Sequence, residues 1–175
     1  MLANYKAFMR KNLEFIGKKI TSIVDFFYPP FGKYISLPLF RYAVTGGSNI
    51  VFDWILYFIT FHLILEKQML HLGFVTFSSY IATKFLVFPI TFTTGFLLQK
   101  YVTFQASTLK GRKQLLRYIN VVLGNLIINY LGLKLLVEFI GIDYPTIANI
   151  IVTIFTVIFS YLSQKKYTFR IKKND

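Results

Sequence analysis

Long apolar runs alternate with short polar segments along the chain, and four runs are long enough to cross a membrane. They cover residues 40–65, 72–98, 118–140 and 146–163. A crossing helix needs about 20 residues at a rise of about 1.5 Å each. Because a backbone in lipid must satisfy its own hydrogen bonds, each run is predicted to be a helix. The alternating strands of about ten residues that a closed barrel requires are not evident.

The pattern of these predicted helices occurs twice. Polar and aromatic residues of the first run recur 76 residues later, with Arg41-Tyr42, Asn49 and Asp53-Trp54 matched by Arg117-Tyr118, Asn125 and Asn129-Tyr130. The sequence that closes the second run, residues 99–104, returns 65 residues later as residues 164–169. Two crossings return a chain to its starting side, so the copies are predicted to be parallel, with a cleft between them as the natural binding place.

The segment before the first run is predicted to be an amphipathic helix on the membrane surface. In residues 1–28 apolar side chains recur at steps of three and four, with cations largely on the other side. The alternative is a frayed basic tail. The predicted organisation is a surface helix and Pro-rich turn (1–38), a first two-span repeat (39–104), a linker (105–114), a second two-span repeat (115–169) and a basic tail (170–175).

Composition and charge support this all-α membrane fold and give it an orientation. Hydrophobic residues make up 55% of the chain and the net charge is +13. Of the 20 Lys and Arg residues, 17 lie before the first run, between the second and third, or after the fourth. Both termini and residues 100–116 are therefore predicted to be cytoplasmic, and residues 66–71 and 141–145 to face outward. Cations that flank apolar spans indicate anionic lipids as partners rather than nucleic acid.

Catalytic patterns are lacking in this sequence. The chain has no cysteine, and its two histidines, His62 and His71, have no further ligands at short spacing for a metal. No nucleophile triad or acid–base pair is apparent. We therefore predict no enzyme activity, no metal and no cofactor.

Two charged residues fall inside the predicted spans at matching depth. Asp53 lies 12 residues beyond Arg41, and Lys84 lies 14 residues before Leu98. These separations correspond to about 18 Å and about 21 Å from the same side of the membrane. A lone charge in the hydrocarbon region is unfavourable by at least about 3 kcal/mol. The sequence therefore predicts an ion pair between Asp53 and Lys84.

Uncharged polar residues form stripes on the other predicted spans. Asn49 and Asp53 share one helix face, as do Asn125 and Asn129. A stripe on the fourth span runs from Asn149 to Gln164. Such stripes either bond packed helices together or line a polar cavity. Small residues at positions 43 and 47 predict close helix packing there, with an opened helix that presents amides to an anion as the alternative.

These residues resemble one family in particular. Residues 40–49 read Phe-Arg-Tyr-Ala-Val-Thr-Gly-Gly-Ser-Asn and lead to Asp53. Together with the closing sequences, this run resembles the GtrA-like family of small four-span bacterial membrane proteins, over residues 39–169. The family's closing motif is similar to Asn-Arg-x-Trp-x-Phe. Gln-Lys replaces Asn-Arg at residues 99–100 and 164–165, which keeps the charge without the planar guanidinium.

The resemblance implies translocation of a polyprenyl-phosphate-linked sugar across the bacterial cytoplasmic membrane, for the synthesis or modification of cell-surface polysaccharide. The lipid tail remains in the bilayer while the headgroup passes polar side chains. Under this interpretation, four cations gather the phosphate: Arg41, Lys100, Arg117 and Lys165. Six residues line the crossing: Asn49, Asp53, Lys84, Asn125, Asn129 and Asn149.

Two other functions are alternatives. A non-transporting accessory subunit would position a membrane glycosyltransferase by means of the basic N-terminal helix. A proton-coupled exporter of small cations fits less well, because Lys84 would neutralise the carboxylate of Asp53. Four helices form a narrow bundle, so a homodimer is an expectation. The sugar, the direction and energy source of transport, and the oligomeric state stay open at this stage.

Overall fold

The computed structural model describes residues 2–66, 68–72, 75–141 and 145–171. Within it, the chain divides into two compact units, residues 1–105 and 106–175. The N-terminal helix belongs to the same unit as the first helix pair. Each unit is built around two long helices.

Three helices form the first unit: α1 (Leu2–Phe26), α2 (Leu37–Ile59) and α3 (Ser79–Leu98). A 3-10 turn at Pro29–Phe31 follows α1, as its two prolines require. α2 begins where Ser36 is extended and a proline occupies the first turn, a favoured way to start a helix.

A β-hairpin precedes α3, which corrects the prediction that the second span begins at residue 72. Strands β1 (Leu70–Leu72) and β2 (Val75–Phe77) are antiparallel, with the Cα of Leu70 opposite that of Phe77. Val75-Thr76-Phe77 consists of β-branched and aromatic residues, which favour strands. Hydrophobicity alone did not distinguish this strand from the helix that follows it.

Two helices form the second unit: α4 (Gly111–Lys134) and α5 (Pro145–Ser163). α4 begins seven residues before the predicted span at 118, so much of the predicted linker at 105–114 is helical. The apolar pattern ended too early because the first turns of α4 carry Arg112, Lys113 and Gln114.

Each of the helices α2 to α5 continues directly into a five-residue π-helical turn: Thr60–Ile64, Gln99–Thr103, Leu135–Phe139 and Gln164–Thr168. The residue after each turn donates its amide to a carbonyl five positions back, at 2.8–3.0 Å. The second and fourth turns contain the two Gln-Lys-x-x-Thr sequences. The repeated sequence therefore corresponds to a repeated local structure.

Three of the described helices are long and apolar enough to cross a membrane: Leu37–Ile64, Ala82–Thr103 and Gly111–Lys134. Large apolar side chains on them are exposed, including Trp54, Phe85 and Ile127. Side chains of this kind are stable against lipid and unfavourable against water. The protein is a multi-pass membrane protein; the crossing by α5 stays a prediction.

The N-terminal helix α1 packs on the first unit, and this corrects the prediction of a helix that only lies on the membrane surface. Val24 of α1 joins a buried cluster with Phe40 of α2 and Val102 of the second π turn. A Cβ added to Gly17 would lie 2.7 Å from the Cβ of Tyr101, so the backbones approach closely there. A second face of α1 leaves large apolar side chains exposed: Phe8, Phe15, Ile23 and Phe26.

The expected close packing through Gly47 is wrong for the part of the chain that the structure describes. A Cβ added to Gly47 would meet no atom within 4 Å. Close approach occurs instead at Gly132 in the second unit, where an added Cβ would lie 2.9 Å from Cγ2 of Val152. Small residues thus bring α4 and α5 together, whereas polar bonds connect α2 and α3.

Candidate functional site: two polar clusters between paired helices

The first polar cluster lies between α2 and α3 and consists of Asn49, Asp53, Lys84, Thr91 and Thr94. Lys84 Nζ donates to Asp53 Oδ2 at 2.9 Å, so the predicted ion pair is present. Thr91 Oγ1 donates to the other carboxylate oxygen at 3.3 Å. Both oxygens of Asp53 therefore have a donor from α3.

Asn49 fixes the next turn of α3. Its Nδ2 donates to the carbonyl of Thr91 at 3.1 Å, and its Oδ1 accepts from Thr94 Oγ1 at 2.8 Å. Pro89 lies just before these residues, and Thr93 Oγ1 donates to its carbonyl at 2.7 Å. The threonines after the proline bond backbone carbonyls, as the sequence predicted.

The ion pair is open on one side. The side chain of Lys84 is 59% exposed and that of Asp53 24% exposed. Lys84 Nζ also lies 5.2 Å from the ring centre of Tyr57, a cation–π contact. α3 begins at Ser79, so Lys84 lies only five residues, or about 7.5 Å, from the start of its helix. The pair is therefore nearer the end of α3 than the sequence alone indicated.

The second polar cluster lies between α4 and α5 and consists of Asn125, Asn129, Thr156, Ser160 and Gln164. Asn125 and Gln164 each donate to Ser160 Oγ at 3.1 Å. Asn129 Nδ2 donates to Thr156 Oγ1 at 3.1 Å. Every side chain here is neutral. Asn125 Oδ1 and Gln164 Oε1 are buried and have no hydrogen-bond partner among the described residues.

The predicted phosphate-binding cations each have a local partner. Arg41 donates to both oxygens of Asp25, from Nε at 2.7 Å and from Nη2 at 2.5 Å. Arg117 donates to the carbonyl of Tyr167 at 2.7 Å and lies 4.7 Å from its ring centre. The ion pair with Asp25 therefore leaves Arg41 less available to an anion than its sequence position indicated.

The two lysines in this set lie against aromatic rings. Lys100 Nζ is 4.9 Å from the ring centre of Tyr101. Lys165 Nζ is 5.5 Å from the ring centre of Tyr161 and donates to its hydroxyl at 3.4 Å. Their role in phosphate binding stays a prediction. Asn149 lies in α5, but its side chain falls outside the described residues.

Sequence analysis missed a polar contact next to the first cluster. Gln99 Nε2 donates to Thr45 Oγ1 at 3.3 Å, and Thr45 and Thr103 share a hydrogen bond of 3.0 Å. In the second unit Thr168 corresponds to Thr103, and Val121 occupies the position of Thr45. Thr168 Oγ1 is fully buried and has no partner in the described part of the chain. The conserved spacing of Gln and Thr in both closing sequences was the signal for this contact.

Outside the predicted spans, Arg10 Nε donates to Glu14 at 2.7 Å. This hydrogen bond, followed by attraction to the carboxylate, raises the pKa of the Arg10 guanidinium above its usual value. Both side chains are exposed, so water screens the pair and it adds little stability.

A family model described as the GtrA/DPMS transmembrane domain matches residues 41–169. The chain belongs to this family. The match covers both polar clusters and agrees with the resemblance found in residues 39–169. No curated protein and no solved structure matches the chain significantly. In this GtrA/DPMS-family protein, α1 lies outside the matched residues and is an addition to the family domain. Membership indicates involvement with lipid-linked sugars in polysaccharide synthesis, in a family that is generally non-catalytic.

Proposed function

We propose that the protein moves a polyprenyl-phosphate-linked sugar across the cytoplasmic membrane of a bacterium. Family membership supports the class of ligand. The observation that carries the proposal is the Asp53–Lys84 pair, held between two helices that are apolar enough to cross lipid. Charged groups in such a place are unfavourable unless they are used, and they commonly mark a substrate path.

The chemistry of the first polar cluster suits such a headgroup. The ammonium of Lys84 is a donor for phosphate oxygens, and the carboxylate of Asp53 is an acceptor for sugar hydroxyls. Because the pair is open on one side, a headgroup can exchange its hydration for these contacts while the polyprenyl tail stays in lipid. The headgroup contacts of the second cluster would be neutral amides and hydroxyls.

We further propose that the chain crosses four times, as two parallel two-helix repeats with both termini in the cytoplasm. The matched sequence offsets and the π turns at corresponding helix ends support the repeat. The cation distribution supports the orientation. Single cysteines at positions 110 and 68 of this cysteine-free chain can be labelled with an impermeant thiol reagent. Labelling only at position 68 from outside is expected, and outside labelling at 110 would refute the orientation.

Transport is tested in liposomes that contain a fluorescent polyprenyl-phosphate sugar, with an impermeant quencher reporting which leaflet holds the probe. The variant Asp53→Asn with Lys84→Asn removes both charges and leaves a neutral pair like that of the second unit. We expect it to remain folded, because no charge is left unpaired, and to lose most of the transbilayer movement.

A matched control removes the exposed ion pair between Lys134 and Glu138, whose charged atoms lie 3.9 Å apart. Lys134→Gln with Glu138→Gln changes the charges equally and should transport normally. Full transport by the Asp53/Lys84 double variant would contradict the proposed function, as would equal loss in the control.

The accessory-subunit alternative is favoured by one observation, the exposed apolar face of α1 (Phe8, Phe15, Ile23 and Phe26) beside its cations. This face suits attachment to a membrane or to a membrane glycosyltransferase. An accessory subunit predicts that the Asp53/Lys84 double variant supports normal polysaccharide modification in cells, whereas substitution of these α1 side chains by serine abolishes it. A transporter predicts that the double variant fails in both cells and liposomes.

A further inference from the structure

A groove of about 400 Å³ lies inside the first unit, with α1, α2 and α3 as its walls. Its volume is within the range of small-molecule sites. Along α3 it extends from Thr94 to Val102, or about 12 Å. Most of its lining is apolar: Leu13, Ile16, Phe52, Leu97, Leu98 and Tyr101.

The third wall of this groove is held firmly. α1 is fixed at one point by the bidentate Asp25–Arg41 pair and at another by the contact between Gly17 and Tyr101. Gln105 Nε2 adds a hydrogen bond to Thr21 of α1. Two of the walls, α2 and α3, belong to helices that can cross a membrane, so the groove faces lipid rather than water.

One end of the groove reaches the first polar cluster. Asn49 and Thr94 line it, and Asp53 lies one helical turn beyond Asn49 on the same face. Asn49 Nδ2 carries two hydrogens. One is donated to the carbonyl of Thr91, and no other bond from Nδ2 occurs among the described residues. An apolar channel thus ends at a polar group with donor capacity left.

We propose that this groove binds the hydrocarbon chain of an isoprenoid phosphate, over the segment next to its headgroup. This inference rests on the proposed function and deepens it, because it gives the lipid part of the substrate a site. The shape suits a ligand whose one chain joins its headgroup directly. A diacyl phospholipid has a second chain for which the groove offers no place. Since α1 lies outside the family match, this site belongs to the present chain rather than to the family domain.

The test is photolabelling of the full chain in phospholipid nanodiscs. The probe is a short polyprenyl monophosphate with a diazirine on the isoprene unit next to the phosphate, and adducts are located by peptide mass spectrometry. We expect adducts on the groove residues of α1 and α3, suppressed by unlabelled polyprenyl monophosphate and unaffected by added phosphatidylglycerol.

Two matched variants of α1 test the position. Ile16 lines the groove, whereas Ile23 is exposed and does not. Ile16→Trp fills the groove and should abolish the labelling of α3, while Ile23→Trp should leave it unchanged. Thermal stability of both variants checks folding. If Ile16→Trp misfolds, Leu97→Trp on the opposite wall replaces it.

Adducts spread over all lipid-facing helices, or equal suppression by phosphatidylglycerol, would overturn the inference in favour of general lipid contact. The two proposals fail separately. Groove labelling without sugar transport supports the chain site and rejects the proposed function. Transport without groove labelling rejects the chain site alone.

Discussion

The two units share a frame but differ in charge. Each pairs two helices that end in π turns, and each joins them by side chains at corresponding positions. In the first unit the pairing includes the Asp53–Lys84 ion pair, where the second has the neutral Asn129–Thr156 contact. Because the neutral version connects its helices equally well, the frame does not require charges. The charges of the first unit therefore call for another role, which is what we assign to the headgroup.

The largest expected effect comes from breaking the charged pair. Asp53→Asn leaves Lys84 without its counter-ion and should lower the free energy of unfolding by about 3 kcal/mol. The double variant Asp53→Asn with Lys84→Asn should be affected less, since no charge then lacks a partner. Stability of the wild type, both single variants and the double variant in bilayers forms a double-mutant cycle. Simple additivity would mean that the two residues are not coupled.

The next effect concerns α1, which has no counterpart in the second unit. Asp25→Asn removes the charge from a bidentate contact with Arg41, a loss of about 1.5–3 kcal/mol locally. Hydrogen exchange of α1 amides should accelerate while that of α4 is unchanged. Glu14→Gln, at the exposed Arg10–Glu14 pair, is the control and should change neither. Unchanged exchange in Asp25→Asn would show that apolar packing alone holds α1.

A smaller effect separates the two closing sequences. Thr45→Val removes the acceptor for Gln99 and the partner of Thr103, and should lower stability by about 1–2 kcal/mol. Thr168→Val in the second unit removes a hydroxyl that already lacks a partner, so we expect no loss or a slight gain. Thermal unfolding of both variants measures the contrast. Equal destabilisation would indicate that Thr168 has a partner in the membrane.

The smallest effect contrasts the glycines. Gly47→Ala meets no atom within 4 Å and removes a helix-weakening residue, so it should raise stability by about 0.5–1 kcal/mol. Gly132→Ala should have the opposite sign, because the new Cβ would lie 2.9 Å from Val152. Both are measured by thermal unfolding at two protein concentrations. Destabilisation by Gly47→Ala would instead indicate that a second copy covers that face of α2.

Part of this structure could be predicted from the sequence because lipid imposes strict rules. Asp53 and Lys84 were paired in advance, since a lone charge in lipid is unfavourable and their depths matched. The helices were predicted because the backbone must be satisfied. In both cases a large energy term is read directly from residue type and position.

Other features depend on contacts that residue type does not reveal. The Asp25–Arg41 pair crosses a turn whose geometry the sequence did not give. Gly17 is a helix-weakening residue in sequence terms, and only the nearby Tyr101 shows why it is needed. Apolar residues in a membrane protein face lipid as readily as protein, so hydrophobicity could not locate the face of α1 that packs.

The Asp53–Lys84 contact has a consequence for biogenesis. Asp53 lies well inside the 28-residue stretch Leu37–Ile64, and its counter-ion arrives only with the following helix. A carboxylate near a helix centre opposes release from the protein-conducting channel by about 2.5–3.5 kcal/mol. We therefore expect α2 to wait at the channel until α3 emerges, and the two to enter the bilayer as a hairpin. The neutral α4 needs no such delay and can enter alone.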